Sequence, residues 1–202
     1  RVLREPGTLR VGDQAAAKWE TMVANCSSKL APDCAQFLAS LGSWSYFGEP
    51  IAEFGTEYKF RALIAINGIA ANPAAVAIYP KASQDSDGET LSGSNAYAIH
   101  FDKDALPPTE PNGFWSITAY GSDNLLIDNP LNRYCINDRS GFVLNEDGSL
   151  DILVQSSQPE AARQSNWLPV GSDDFHLFMR IYLPQDAVLD GHWSAPTIKK
   201  VL

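Results

Sequence analysis

Nine residues near the C-terminal end, Phe175 to Leu183, alternate without a break. Phe175, Leu177, Met179, Ile181 and Leu183 fall on one side, and His176, Phe178, Arg180 and Tyr182 on the other. Successive side chains of an extended chain point to opposite faces, so this period of two predicts a strand with its apolar face in a core. The second face is chemically mixed and carries a guanidinium, which is costly to bury unpaired. Either N-terminal helices cover that face and Arg180 pairs with an acid, or the face lines a cleft. Amphipathic helices need a surface to bury against, which favours cover.

The spacing changes character near Ala74. Before it, residues 1–12 read as an extended arm broken at Pro6-Gly7, and Asp13 caps a helix carrying Ala15, Ala16, Trp19, Met22 and Val23. A second helix is expected from Pro32-Asp33, presenting Cys34, Phe37, Leu38 and Leu41 and ended by Gly42. Thr56-Glu57 opens a third, which runs to Ile66 and is closed by Asn67-Gly68. After Ala74, strands are expected at Ala77–Tyr79, Ala96–Phe101 and Phe114–Tyr120, with a return over Asn124–Ile127. Phe142–Asn145 and Leu150–Gln155 flank the turn Glu146-Asp147-Gly148-Ser149 and predict a hairpin. Asp190-Gly191 and Pro196 bracket a short terminal strand. Short strands with frequent turns and little helix between them predict an antiparallel sandwich, mostly β. Residues 1–42 form the arm and helices, and residues 43–202 the β-sandwich domain.

At 202 residues the chain fits one domain with a helical appendage. A net charge of −9 and the lack of any lysine-rich run argue against nucleic acid, whose affinity is built from clustered Lys and Arg. No stretch approaches the roughly 18 apolar residues of a membrane span. A first residue of Arg1 suits a processed secreted protein or an excised segment. Asn25-Cys26-Ser27 is a glycosylation sequon, and Cys26 and Cys34 stand eight apart. These cues predict a secreted glycoprotein, modified at Asn25, with a Cys26–Cys34 disulfide. Cys135 alternates within an apolar strand and is expected as a buried free thiol.

The densest polar stretch runs from Gly113 to Ser140 and holds no phosphate loop, nucleophile elbow or zinc spacing. Within it Arg133, Tyr134, Asp138 and Arg139 suggest a charged pocket, because two guanidiniums beside one carboxylate leave donors free for a ligand. The plainer alternative is an ion pair tying two loops. Trp115, Tyr120, Trp167 and Trp193 fall at strand ends or loops, where flat rings suit sugars or planar organic ligands, though sandwich cores also take up tryptophan. His100, His176 and His192 lack the tight spacing of metal ligands, so neither metal nor cofactor is expected. Among them His100, followed by Asp102, is the best candidate for acid–base work. Ser116 lies outside any glycine elbow, and the carboxylates of a glycosidase cannot be picked out.

Taken in order, GTEYKFRA (55–62), IAANP (69–73), YP (79–80), FWSITAY (114–120), NPLNRY (129–134), DR (138–139), EDGSLDI (146–152), NWLP (166–169), MRIYLP (179–184) and LDGHW (189–193) resemble the "domain of unknown function 1214" family. The resemblance spans roughly residues 43–201. It implies a jelly-roll-like β-sandwich with two or three helices at its N-terminal end, and it supplies no chemistry. Members often follow a companion "domain of unknown function 1254", which is not expected within these 202 residues. Ala74-Ala75-Val76 replace the usual second proline and acid, and Asn137 replaces a common glycine.

Three functions follow as expectations. One is a binding module for a carbohydrate or small polar-aromatic ligand in a cleft lined by Arg139, Tyr120, Tyr134, Tyr182, Asp138, Trp115 and Trp167. Another is a metal-independent enzyme acting on a small organic molecule or glycan, with His100 as base and Arg133 or Arg180 stabilising an anion. The third is a structural subunit that forms a homo-oligomer through its sheet faces.

Overall fold

The computed structural model describes Thr21, Asn25, Cys26, residues 28–68 and residues 70–201. The expected arm and, Thr21 apart, the Asp13-capped helix lie outside the described residues. The chain divides into two compact units that interleave in sequence, residues 1–37 with 50–71 and residues 38–49 with 72–202. No helix among the described residues is long and apolar enough to cross a membrane.

In the first unit the backbone is helical over 28–34 and tightens into a 3-10 turn at Ala35–Phe37. Tyr58–Asn67 forms helix α1, opening after Thr56-Glu57 as expected and ending where the Gly68 N–H donates to Ile64 O. It buries Phe60, Leu63 and Ile64, three and four residues apart on one stripe. Phe60 stacks on Phe37 at 4.3 Å and meets the edge of Phe54 at 5.4 Å.

The second helix does not reach Leu41. Leu38–Leu41 is strand β1, and Gly42-Ser43 turn it directly into β2, Trp44–Phe47, with Leu41 opposite Trp44. Gly42 holds φ +63°, and a Cβ there would stand 2.7 Å from the Ala195 carbonyl oxygen, so only glycine fits. Leu41, Trp44 and Tyr46 are all buried. Their alternation satisfies a sheet, and that burial overrides a helical spacing only a few residues long.

The remaining strands are β3 (Ala77–Ile78), β4 (Lys81–Ala82), β5 (Ala96–Phe101), β6 (Thr109–Gly121), β7 (Cys135–Asn137), β8 (Leu150–Gln155), β9 (Trp167–Pro169), β10 (Phe175–Pro184) and β11 (Ile198–Val201). A seven-stranded sheet runs β1-β2-β4-β10-β6-β7, with β3 also paired to β10, and a four-stranded sheet runs β11-β5-β8-β9. The sheets face each other: Tyr97 of β5 meets Phe175 of β10 at 5.9 Å, and Phe101 of β5 meets Trp115 of β6 at 5.8 Å. Ile99, Ile117, Ile136, Ile152, Val154, Leu177, Met179 and Ile181 lie between them at 0% exposure. Each such side chain contributes about 1.5–3 kcal/mol by leaving water. The protein is therefore a mostly β sandwich, antiparallel except for the parallel pair β8–β9.

Four local readings change. Leu183 leaves the core face: it is 37% exposed, holds φ +50°, and sits where the β10–β6 register shifts, a bulge that re-aims it. Residues 142–145 form no strand, although the turn closes as expected with Asn145 N–H on Ser149 O at 2.9 Å. The backbone of Val143 pairs instead with the Asn166 side chain, which accepts its N–H and donates to its carbonyl, both at 2.8 Å. One amide thus takes the place of a strand partner, and β8 pairs with β5 and β9. Asn124–Ile127 returns only as a single bridge, Tyr120 to Leu126. The terminal strand, β11, begins after Pro196 rather than before it.

Candidate functional site

The mixed face of β10 meets a matching face on β6. In register, His176 stands opposite Tyr120, Phe178 opposite Thr118, Arg180 opposite Ser116, and Tyr182 opposite Phe114. Both strands send their alternate residues into the core, so these eight side chains share the outward surface of the seven-stranded sheet. Lys81 of β4 joins them opposite Phe178, with its ammonium 5.6 Å from the ring centre.

Arg180 is the centre of this surface. Its Nη1 donates to Thr118 Oγ1 at 2.9 Å and its Nη2 to the Tyr120 hydroxyl at 2.6 Å. Among the described residues no carboxylate pairs with it. The acid partner expected for a covered arginine is thus replaced by two hydroxyls, which orient the guanidinium without neutralising it. Beside it His176 is 6% exposed and stacked on Tyr120, and its Nε2 is buried with no hydrogen-bond partner among the described residues. Burial first, and then the charge of Lys81, push the imidazole below its ordinary pKa, which favours the neutral ring. Burial likewise lowers Lys81.

Further along the surface Phe114 and Tyr182 stack at 4.4 Å, and Tyr79 meets Tyr182 edge-on at 6.3 Å. Asn72 Nδ2 donates to the Tyr79 hydroxyl at 2.6 Å, and the Arg139 guanidinium lies 5.6 Å from the Phe114 ring centre. Burial, followed by Tyr79, raises the Tyr182 phenol. Tyr120, Tyr182, Arg139 and Arg180, all candidates from the sequence, are therefore brought onto one surface. Lys81, Phe114 and Thr118 are not among the sequence candidates, whereas His176 and Phe178 share the mixed face of the Phe175–Leu183 strand with Arg180 and Tyr182. The alternation of Phe114, Ser116, Thr118 and Tyr120 was the signal that would have found this partner face.

The other candidates go elsewhere. Trp115 and Trp167 are 3% and 5% exposed, so neither is a ligand platform; Trp115 packs on Phe101, and Trp167 Nε1 donates to Gln155 O at 2.8 Å. Trp193 Nε1 donates to Ala105 O at 3.0 Å. Arg133 Nη1 straps the Gln164 and Trp167 carbonyls, which spends it on structure. Among the described residues Tyr134 reaches Asn132, at 3.4 Å, and Asp138 lies 4.0 Å from an Arg139 that is 75% exposed. No pocket of two guanidiniums about Asp138 forms.

His100 faces outward from the four-stranded sheet, away from Arg180. Its Nδ1 lies 2.6 Å from Asp151 Oδ1 across the β5–β8 ladder, and Asp102 stands 3.4 Å from Nε2. Asp151, not Asp102, orients the ring. The other Asp151 oxygen accepts from Arg163 Nη2 at 2.9 Å and Asn145 Nδ2 at 3.0 Å. The Asp151 hydrogen bond raises the His100 pKa, which makes the imidazole easier to protonate. Burial works to raise Asp151, but hydrogen bonds from His100, Asn145 and Arg163 outweigh it and leave the carboxyl below its usual range. Neither Arg133 nor Arg180 reaches this group, so the expected catalytic trio does not assemble. Among the described residues no group of three or more His, Cys, Asp or Glu is placed to hold a metal ion.

The first unit carries a cleft of about 490 Å³ lined by Asp33, Cys34, Phe37, Tyr58, Lys59 and Phe60. Lys59 and Asp33 pair there, and burial, reinforced by Asp33, raises the Cys34 thiol, which makes it a weak nucleophile. The expected Cys26–Cys34 disulfide is absent: Cys26 is a free exposed thiol and Cys34 a free buried one. Both lie in helical backbone, where eight residues rise about 12 Å. A disulfide spans at most about 7 Å between Cα atoms. Cys135 is free and half-buried.

The family model described as "Protein of unknown function (DUF1214)" matches residues 76–186. The crystal structure of the VPA0106 protein from Vibrio parahaemolyticus matches at 28% identity and a TM-score of 0.65, over 98% of this chain and 48% of that one. An uncharacterized protein from Burkholderia cenocepacia matches at 15% identity and a TM-score of 0.40, over 96% of this chain and 44% of that one. The chain thus spans about half the length of the solved structures it matches. No curated protein matches it.

Proposed function

The chain belongs to the family of proteins of unknown function DUF1214, and we propose that it is a binding module for a small polar-aromatic ligand on the outer surface of the seven-stranded sheet. The observation that carries this reading is Arg180, oriented by Thr118 and Tyr120 and, among the described residues, left with unspent donors and no carboxylate partner. A guanidinium has five N–H donors, and two are engaged here. Around it Phe114, Tyr120, Phe178 and Tyr182 offer ring faces and edges to a flat ligand. Trp115 and Trp167, which would favour a sugar platform, are in the core, so the polar-aromatic half of the expectation is the one retained. An extracellular setting rests on the sequon, whose Asn25 is exposed; an intact mass unchanged by glycosidase would count against it.

The test is a thermal-shift comparison of polar-aromatic compounds with sugars. A ligand at a hundred times its Kd stabilises by about 2.7 kcal/mol, a readily measured rise in Tm. Polar-aromatic compounds should produce it, and Arg180→Met should abolish it. A rise produced by sugars alone, or one that persists in Arg180→Met, would overturn the reading.

A further inference from the structure

Three basic side chains gather on one patch of the outer surface without an acid among the described residues there. Lys81 lies over Phe178, the His176 ring stands 5.6 Å from Phe178 and 5.9 Å from Tyr120, and Arg180 donates to the Tyr120 hydroxyl. Tyr120 and Phe178 therefore link all three. The ion pairs among the described residues join Lys59 to Asp33, His100 to Asp102 and Asp151, Arg139 to Asp138, and Arg163 to Asp151. None involves this patch. The chain carries 24 acidic residues against 15 Lys and Arg, so carboxylates are plentiful and yet none among the described residues is spent here. An uncompensated cationic patch on a protein of net charge −9 focuses a positive field where the surroundings are negative.

Taking the binding reading above as its basis, we infer that the ligand is an organic anion, a carboxylate carried on a flat or aromatic body, held by Arg180 with Lys81 as the second cation. A carboxylate fits better than a tetrahedral anion. Thr118 and Tyr120 fix the plane of the guanidinium, and a fixed fork matches two coplanar oxygens. The rings beside it then take the ligand's apolar body. The buried Nε2 of His176, unpartnered among the described residues, marks one more polar group on this patch. Tyr120 of β6, Lys81 of β4, and Phe178 of β10 are the neighbours that face it. An anion brought into this setting offsets the Lys81 charge and favours the imidazolium, so the ligand should bind together with a fraction of a proton.

The experiment titrates the intact chain with benzoate, phenylacetate and indole-3-acetate, each paired with its neutral amide, and with inorganic phosphate. At least one acid should bind about tenfold more tightly than its amide, the loss expected for removing one charge-assisted contact. Lys81→Gln and Arg180→Gln should each narrow that ratio. Titration calorimetry in two buffers of different ionisation heat should report proton uptake that disappears in His176→Phe. Equal binding of acids and amides would overturn the anion and leave the binding module standing. Tighter binding of phosphate than of any acid would overturn the carboxylate. Binding of none of these would overturn the module and the anion together. The comparison of acid with amide uses the unaltered protein, so a variant that fails to fold does not blunt it.

Discussion

Tyr120 stands opposite His176 in the β6–β10 ladder and stacks on its ring, with centres 5.9 Å apart and planes 16° apart. The tyrosine performs two tasks, since its hydroxyl also accepts from Arg180. It shields the imidazole from water on one side and orients the guanidinium on the other. The buried histidine and the free arginine are thus coupled through one ring.

That coupling has a pH signature. The folded pKa of His176 lies below the value of about 6.5 for an unfolded chain, so the unfolded state binds its proton more readily. The contribution of His176 is complete above pH 6.5 or so and is lost as pH falls toward the folded value. His100 works in the opposite sense, because its raised pKa stabilises below the unfolded value and the gain fades as pH rises through the folded one. Denaturant unfolding of wild type and His176→Phe at several pH values between about 5 and 7.5 isolates the first effect. The variant should lose less stability on acidification, and parallel curves would refute the assignment.

Arg180→Ala should be milder than the loss of a buried ion pair. Its partners are the Thr118 and Tyr120 hydroxyls, and the side chain is half-buried. The expected cost is about 2 kcal/mol, against the roughly 3–5 kcal/mol of stranding a buried partner charge. Urea denaturation measures it, and a cost in the upper range would mean that the hydroxyls do not account for its role.

Asn166→Leu should be the most damaging single change among the polar residues named above. Asn166 is 1% exposed and satisfies the Val143 N–H, the Val143 carbonyl and the Asp151 carbonyl. Leucine keeps the branched shape but cannot hydrogen-bond, so it strands all three groups, at about 1–3 kcal/mol for each left without water. A fall in urea midpoint together with early hydrogen exchange at Val143 is the expected result.

Thiol labelling separates the cysteines. Cys26 should react with a maleimide in the native state, whereas Cys34, at 1% exposure, should react only on unfolding. Recovery of a Cys26–Cys34 crosslink from unreduced native protein would contradict the helical separation.

The strand periods of β5, β6 and β10, and the caps of α1, were legible because each follows a local rule that burial reinforces. Leu38–Leu41 misled because apolar residues three apart suit either a helix turn or a strand, and only the partner Trp44–Phe47 decides between them. Residues 142–145 misled for the converse reason: a strand-like pattern found a side-chain amide instead of a second strand. The site was half visible. Arg180 and Tyr182 stood out as the mixed face of one strand, but Tyr120 and Lys81 join them through register, which no single segment encodes. Trp115 and Trp167 looked like platforms because their strand ends were read as exposed, and both are in the core.

Where the two sheets stop also shapes how the protein behaves in crowded solution. A bare outer strand is a template on which another chain can add, and prolonged contact of that kind leads to aggregates. Among the described residues, three of the four strands that end the two sheet orders are poor templates. β7 has only three residues, β9 ends in Pro169, which has no N–H to offer, and β11 carries Lys199 and Lys200, whose like charges repel a second copy. β1 is the exception, with Leu38 50% exposed. Concentrated stocks that lose solubility should therefore do so through the β1 edge, and a lysine at position 38 is the substitution that would blunt it.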